Sequence, residues 1–225
     1  VFSDYPNNEY GSGSGTSMAA PGVTGTLTLL YEHYRKLHGG ADPKSSLIKA
    51  IACNTAEDLG NPGPDYTYGY GAINGRRAVE ALDSSRYYIN TVAHLANASA
   101  NITIPSGVRR LKILLYWHDV AASVNAATAL VNDLDMVVIE PSFTLHRALS
   151  PNPASGSVST VATEKPDHLN NIEQVVIENP SAGTYTINVV GYNIPSGSQE
   201  YVLSYELVKP TVTVEYPYGG EKLVP

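Results

Sequence analysis

The sequence has little sulfur, little basic charge and no long apolar run. A single cysteine, Cys53, stands among 225 residues, so no internal disulfide can form. It sits in the apolar run 47–53 and reads as a small buried hydrophobe rather than a catalytic thiol. Lysine and arginine total 14 against 21 aspartates and glutamates, a net charge of −7. That balance argues against a nucleic-acid partner, which needs a basic footprint. It suits a soluble extracellular protein or calcium binding. No stretch approaches the ~20 apolar residues of a membrane span, and no signal peptide is visible. The chain opens at Val1 without a methionine, in what reads as mid-domain. An excised fragment is expected.

What is present is enough apolar material for a core. Hydrophobic residues make up 43% and charged residues 16%, which places the chain among globular proteins. Its length allows one large domain or two modest ones.

Residues 1–15 are rich in glycine, serine and asparagine and read as turns. From Met18 to Leu37, apolar residues recur every three or four positions, which predicts a helix stopped by Gly39-Gly40. Pro43 opens a second expected helix running to Cys53. A turn-rich segment, Asn61-Pro62-Gly63-Pro64, leads to Tyr66-Thr67-Tyr68-Gly69-Tyr70-Gly71. Asn74 then caps a third expected helix through Leu82.

Beyond about residue 86 the period changes from helical to two. Leu111, Ile113, Leu115 and Trp117 alternate, as do Tyr185, Ile187 and Val189, and Tyr201, Leu203, Tyr205 and Leu207. Roughly eight strands follow, which points to a β-sandwich or jelly roll. The polar stretch 149–171 lacks periodicity and reads as a large loop. After Pro210, Pro217-Tyr218-Gly219-Gly220-Glu221-Lys222 resembles the opening of an Ig-like module.

Gly15-Thr16-Ser17-Met18-Ala19-Ala20-Pro21 is the most informative string. It places a serine in the first turn of a helix, behind a glycine-rich approach. Helix N-termini carry unpaired N–H groups and partial positive charge, which favour an oxyanion formed when a serine attacks a carbonyl. Pro21 is tolerable there because its missing N–H would have lacked a partner. On Gly/Ser text alone, 11–15 would be a linker and Ser17 only a cap. The full string resembles the nucleophile signature of the subtilisin-like serine proteases. The likeness continues through Asn54-Thr55-Ala56 and Gly69-Tyr70-Gly71-Ala72-Ile73-Asn74, and so covers about residues 1–85. One departure is Gly22, where the family usually has histidine after the proline.

The resemblance implies an α/β catalytic-domain fragment over 1–86, with Ser17 as the catalytic serine. Its histidine base and orienting aspartate lie upstream in the family's chain order, as does the amide that completes the oxyanion hole. His33, His38, His94, His118, His146 and His168 lack the family's His-Gly-Thr setting, and His33 and His38 read as solvated. The fragment alone is therefore expected to be inert, while its parent cleaves protein or peptide substrates.

Residues 87–209 resemble the C-terminal β-domain of some alkaline bacterial subtilases. The supporting strings are Leu114-Leu115-Tyr116-Trp117-His118-Asp119, Leu130-Val131-Asn132-Asp133-Leu134-Asp135 and Asn170-Asn171-Ile172-Glu173. Residues 210–225 would begin a further module.

Asp133 and Asp135, two apart, share a strand face, which is costly without a cation or donors. Either they hold calcium with Asp119, as the likeness to calcium-stabilised subtilases implies, or they are solvated or accept backbone N–H bonds at a turn. Asn132, Asp167, Asn171 and Glu173 are further ligand candidates. The sequons at Asn97 and Asn101 are uninformative.

A secreted or cell-surface monomer, with no membrane span and no nucleic-acid partner, is expected. Two rivals are kept: an inert pseudoprotease or surface-binding protein, and a carbohydrate-binding module using Trp117 and the tyrosines.

Overall fold

The computed structural model describes residues 2–210, so the expected Ig-like opening lies outside the described residues. Its first elements are a small antiparallel hairpin, β1 (Phe2–Tyr5) and β2 (Glu9–Ser12). Asn7 and Asn8 turn it at φ 70° and 60°, a left-handed conformation that asparagine tolerates. The opening segment is therefore more ordered than its turn-like composition suggests. Its strands are too short to register a period.

Three helices follow: α1 (Thr16–Leu37), α2 (Ser45–Asn54) and α3 (Gly75–Asp83). All three match the sequence expectation within about two residues. Arg35 and Lys36 occupy the last turn of α1, where cations complement the helix dipole. The Asn74 side chain accepts from the Arg77 N–H and caps α3. Between α2 and α3, Glu57 and Ala72 form an isolated bridge. Gly71 there has φ 103°, and a Cβ would lie 1.9 Å from the Glu57 carbonyl oxygen. Only glycine fits that position.

Ten strands complete the described chain: β3 (Tyr87–Ala93), β4 (Asn97–Ile104), β5 (Arg110–Tyr116), β6 (Asp133–Ile139), β7 (Leu145–Arg147), β8 (Leu149–Ser150), β9 (Thr163–Glu164), β10 (Ile172–Glu178), β11 (Gly183–Asn193) and β12 (Ser198–Val208). Eight of them form two four-stranded antiparallel sheets, ordered β10-β5-β12-β3 and β4-β11-β6-β7. The remaining two, β8 and β9, pair with each other inside the stretch expected to be a loop. The fold is thus mixed α/β, mostly sheet, with three helices and no closed barrel among the described residues.

Two cores hold these layers. Between the sheets, Leu111, Ile113 and Leu115 of β5 meet Leu134, Met136 and Val138 of β6 and Tyr185, Ile187 and Val189 of β11. A second core lies on the other face of the first sheet. There Leu30, Leu47, Ile51 and Leu82 of the helices pack on Leu114, Tyr116 and Val202. The first sheet is therefore buried on both faces, and β5 is buried from Leu111 to Tyr116. Each such apolar side chain contributes ~2 kcal/mol of transfer free energy. The alternating pattern of β5 disclosed only the inner face. Leu114 and Tyr116, out of phase with that alternation, mark the helix-covered one.

The helix–sheet junction also contains polar groups. Asn54, fully buried, donates to the carbonyl oxygens of Lys112 and Ser204 and accepts from Gln174. Lys112 Nζ, also buried, donates to the Ala56 carbonyl oxygen at 2.9 Å. Arg77 of α3 forms a two-point ion pair with Glu206 of β12.

Candidate functional site

Ser17 lies in the first turn of α1 and is exposed. Gly15, at φ 144°, is the N-cap, and its carbonyl oxygen accepts from the N–H groups of Met18 and Ala19 at 3.1 Å each. The turn has no acidic residue and no side-chain cap. A negative charge held by this helix end would therefore meet backbone dipoles alone. Pro21 sits inside the helix, past its first turn, so the expectation that its missing N–H would have lacked a partner does not hold: the i→i−4 bond to the Ser17 carbonyl oxygen is lost. A Cβ at Gly22 would meet nothing within 4 Å, so in the described structure that position needs no glycine.

Each of the six histidines is engaged elsewhere. His33, expected to be solvated, is half-buried, and its Nε2 lies 2.6 Å from Asp83 Oδ1. His38, which is exposed, stacks on Tyr34 at 3.8 Å between centroids and reaches Tyr87 Oη at 3.3 Å. His94 Nδ1 accepts from the Ile194 N–H, and His118 meets Tyr116 edge-on. His146 bridges Glu140 and Glu164, and its pKa is raised by those carboxylates against the opposing effect of burial. His168 pairs with Asp133. None of these contacts is with Ser17.

The acidic cluster differs from its expected composition. Asp133, Asp135 and His168 place ligand atoms within 4.8 Å of one another, with His168 Nδ1 2.8 Å from Asp133 Oδ2 and 4.0 Å from Asp135 Oδ1. Leu134, Met136 and Val138 point into the core, so Asp133 and Asp135 share the outer face of β6.

Asp119 does not join them. Its Oδ1 accepts from the N–H groups of Val120 and Asn132, and its Oδ2 from that of Val131. It clamps a loop, the turn-type role that sequence allowed for the aspartate pair. Asn132 and Asn171 likewise bond within the protein, to Gln199 and to the Trp117 carbonyl oxygen. Asp167 accepts from Leu169 and Asn170.

Glu173 comes from the opposite sheet. Its Oε2 accepts from the Met136 N–H at 2.7 Å, taking up an edge donor of β6. Its Oε1, together with Asp133 Oδ1 and Asp135 Oδ1, is buried without a hydrogen-bond partner among the described residues. Burial pushes the Asp133 carboxyl up to about 6, raises that of Asp135, and holds Glu173 well above its ordinary value, with the neighbouring carboxylates adding to the effect on Asp133 and Glu173. Three orphaned carboxylate oxygens suit a hard cation with oxygen ligands. His168 is the one member that a calcium ion would not favour.

Trp117 is fully buried and donates Nε1–H to the Asn132 carbonyl oxygen. That removes it as a sugar-stacking surface.

Comparison with known proteins adds the following. The Subtilase family model matches residues 1–71. An extracellular serine protease of Serratia marcescens is 44% identical over 73 residues, 32% of this chain and 6% of that protein. Subtilisin DY of Bacillus licheniformis is 36% identical over 80 residues, 36% of this chain and 26% of that protein. A Dictyostelium discoideum protein described as serine protease/ABC transporter B family protein tagA is 24% identical over 208 residues, 83% of this chain. The chain spans only 12% of that last relative.

Proposed function

We propose that the parent protein is a serine endopeptidase with Ser17 as its nucleophile, on a chain whose residues 1–71 match the Subtilase family model. The supporting observation is the exposed serine in the first turn of a 22-residue helix, inside the family match. Ser17 Oγ would attack the scissile carbonyl carbon, and an upstream histidine, oriented by an aspartate, would take its proton. Peptide dipoles at the α1 N-terminus would stabilise the oxyanion. The 225-residue chain by itself would be inert, a reading supported by the engagement of its histidines with partners other than Ser17.

In this reading residues 1–86 are the end of the catalytic domain and 87–209 an accessory β-domain. Numbering the eight sandwich strands in chain order gives 6-3-8-1 and 2-7-4-5 for the two sheets. That order supports a jelly roll, in which two Greek keys close over one core. Calcium would be held by Asp133 and Asp135, whose Oδ1 oxygens lack partners, with Glu173 adding to the local negative charge, and would neutralise charges that burial disfavours. Secretion, a monomeric state and protein or peptide substrates complete the proposal.

The test is fluorophosphonate labelling of the full-length parent, with the adduct located by mass spectrometry. A label on Ser17 that disappears in Ser17→Ala is the expected result. No label on a folded, mature protein would defeat the proposal and favour an inert, surface-binding protein.

A further inference from the structure

A second site lies at the opposite edge of the sandwich from Glu173, where β3 and β4 face each other across the gap between the sheets. A cavity of about 180 Å³ opens there. Ile187, Val189 and Leu203, all nearly inaccessible to solvent, form its floor. The space arises from two small residues. Positions 98, 100, 102 and 104 of β4 alternate toward the core; Ile102 and Ile104 fill it, whereas Ala98 and Ala100 line the cavity. Tyr88, 39% exposed, stands at the rim and donates its hydroxyl to the Asn101 carbonyl oxygen at 3.3 Å. A dry apolar cavity of ~150 Å³ is large enough for a benzene ring, so this one accepts a single aromatic or branched apolar side chain.

The strands bordering the cavity indicate what carries that side chain. Among the described residues, nothing pairs with the outer edge of β3 or β4. Unpaired edges are ordinarily blunted by charge or proline. The other two sheet edges follow that rule: β10 carries Glu173 and Glu178, and β7 carries His146 and Arg147. In β3 and β4, Tyr-Tyr-Ile-Asn-Thr-Val-Ala and Asn-Ala-Ser-Ala-Asn-Ile-Thr-Ile, there is neither a charge nor a proline. Tyr88 and Ile89 are left partly exposed beside the cavity. Tyr88 occupies the Asn101 carbonyl oxygen of β4, and the Thr91 N–H of β3 donates to Asn90 Oδ1. The rest of an edge that no strand pairs calls for another extended backbone, and an uncharged surround disfavours a charged occupant.

We propose that the mouth between β3 and β4 binds an uncharged, extended polypeptide segment, which adds to the sheet edge and lodges one apolar or aromatic side chain in the cavity. The apolar floor favours a peptide over a sugar, whose hydroxyls would find few partners there. This site is independent of Ser17 chemistry.

The test is calorimetric titration of the 225-residue chain carrying Ser17→Ala with two capped heptapeptides, Ser-Thr-Val-Phe-Val-Thr-Ser and the same peptide with a central aspartate. The phenylalanine peptide should bind at least tenfold more tightly. Ala98→Leu and Ala100→Leu, which fill the cavity, should each weaken it at least tenfold while leaving the melting temperature unchanged or higher. Hydrogen exchange on the unsubstituted pocket gives a readout that does not depend on those variants folding: amides of β3 or β4 should gain protection with the peptide. Equal binding of both peptides, no binding, protection elsewhere only, or saturation by a cello-oligosaccharide instead would overturn the proposal.

Discussion

Arg77 of α3 and Glu206 of β12, 129 residues apart in sequence, are joined by two hydrogen bonds, with Nη2 2.6 Å from Oε2. The pair is largely withdrawn from water, at 18% and 6% side-chain exposure. It ties the helical segment to the sheet that carries its apolar face. Lys112 Nζ lies 3.9 Å from the same carboxylate, so Glu206 balances two cations. Breaking a buried pair leaves an uncompensated charge and costs ~3–5 kcal/mol. Glu206→Ala should destabilise the chain by that amount in urea titration. Because helices and sheet share one core, probes on α2 and on β12 should report one transition.

Lys112 makes stability depend on pH. Burial pushes its pKa down to about 8, with Glu206 acting in the opposite direction. The unfolded lysine titrates near its ordinary value of 10.5. Between those values the unfolded state binds more protons than the folded state, so this group makes stability rise with pH. Its contribution is fully present above the unfolded pKa and is lost as pH falls through the folded one. Lys112→Met should lower the slope of unfolding free energy against pH between 8 and 10. An unchanged slope would mean that Lys112 titrates in the folded state at its unfolded value, and so is not perturbed by burial.

Calcium should raise the melting temperature of the chain, by linkage to the folded state. Asp135→Asn and Glu173→Gln should each at least halve that rise. Without calcium, each should be neutral or stabilising, since a buried charge is removed. Asp119→Ala should behave differently. It leaves three backbone N–H groups without their acceptor and should cost ~1–3 kcal/mol, with the calcium shift retained. Differential scanning calorimetry with calcium and with chelator separates these outcomes.

Two glycines should respond in opposite directions. A Cβ at Gly22 meets no atom within 4 Å, and alanine is favoured over glycine in a helix by ~1 kcal/mol. Gly22→Ala should raise stability by up to that amount. Gly71→Ala would force a Cβ to 1.9 Å from the Glu57 carbonyl oxygen at φ 103°, and should lower the melting temperature sharply. Thermal unfolding of both variants checks the pair.

The elements were legible because their signals are local. Apolar spacing in α1, the cap at Asn74 and the alternation in β11 depend on neighbours a few residues away, and the structure places all three as expected. The Gly-Thr-Ser-Met-Ala string is local too, and residues 1–71 match the Subtilase family. The residues of the acidic cluster were less legible. Asp133 and Asp135 were evident from their spacing and Glu173 was among the further candidates, but His168 joins the aspartates only through a distant loop. Asp119, near in sequence to a strand end, is used by backbone N–H groups instead.

The sequence by itself determined that three helices precede the strands of the two sheets, that no internal disulfide contributes, and that a serine lies in the first turn of α1. Tertiary structure decided that the helices cover the outer face of β10-β5-β12-β3, that Trp117 is core, and that Ala98 and Ala100 leave a cavity rather than fill one. The physical reason is the range of the interactions. A helix period or a turn is set by bonds between near neighbours, whereas burial of a second strand face depends on which remote surface arrives there. An alanine likewise reads the same in sequence whether its space is filled from across the sheet or left open.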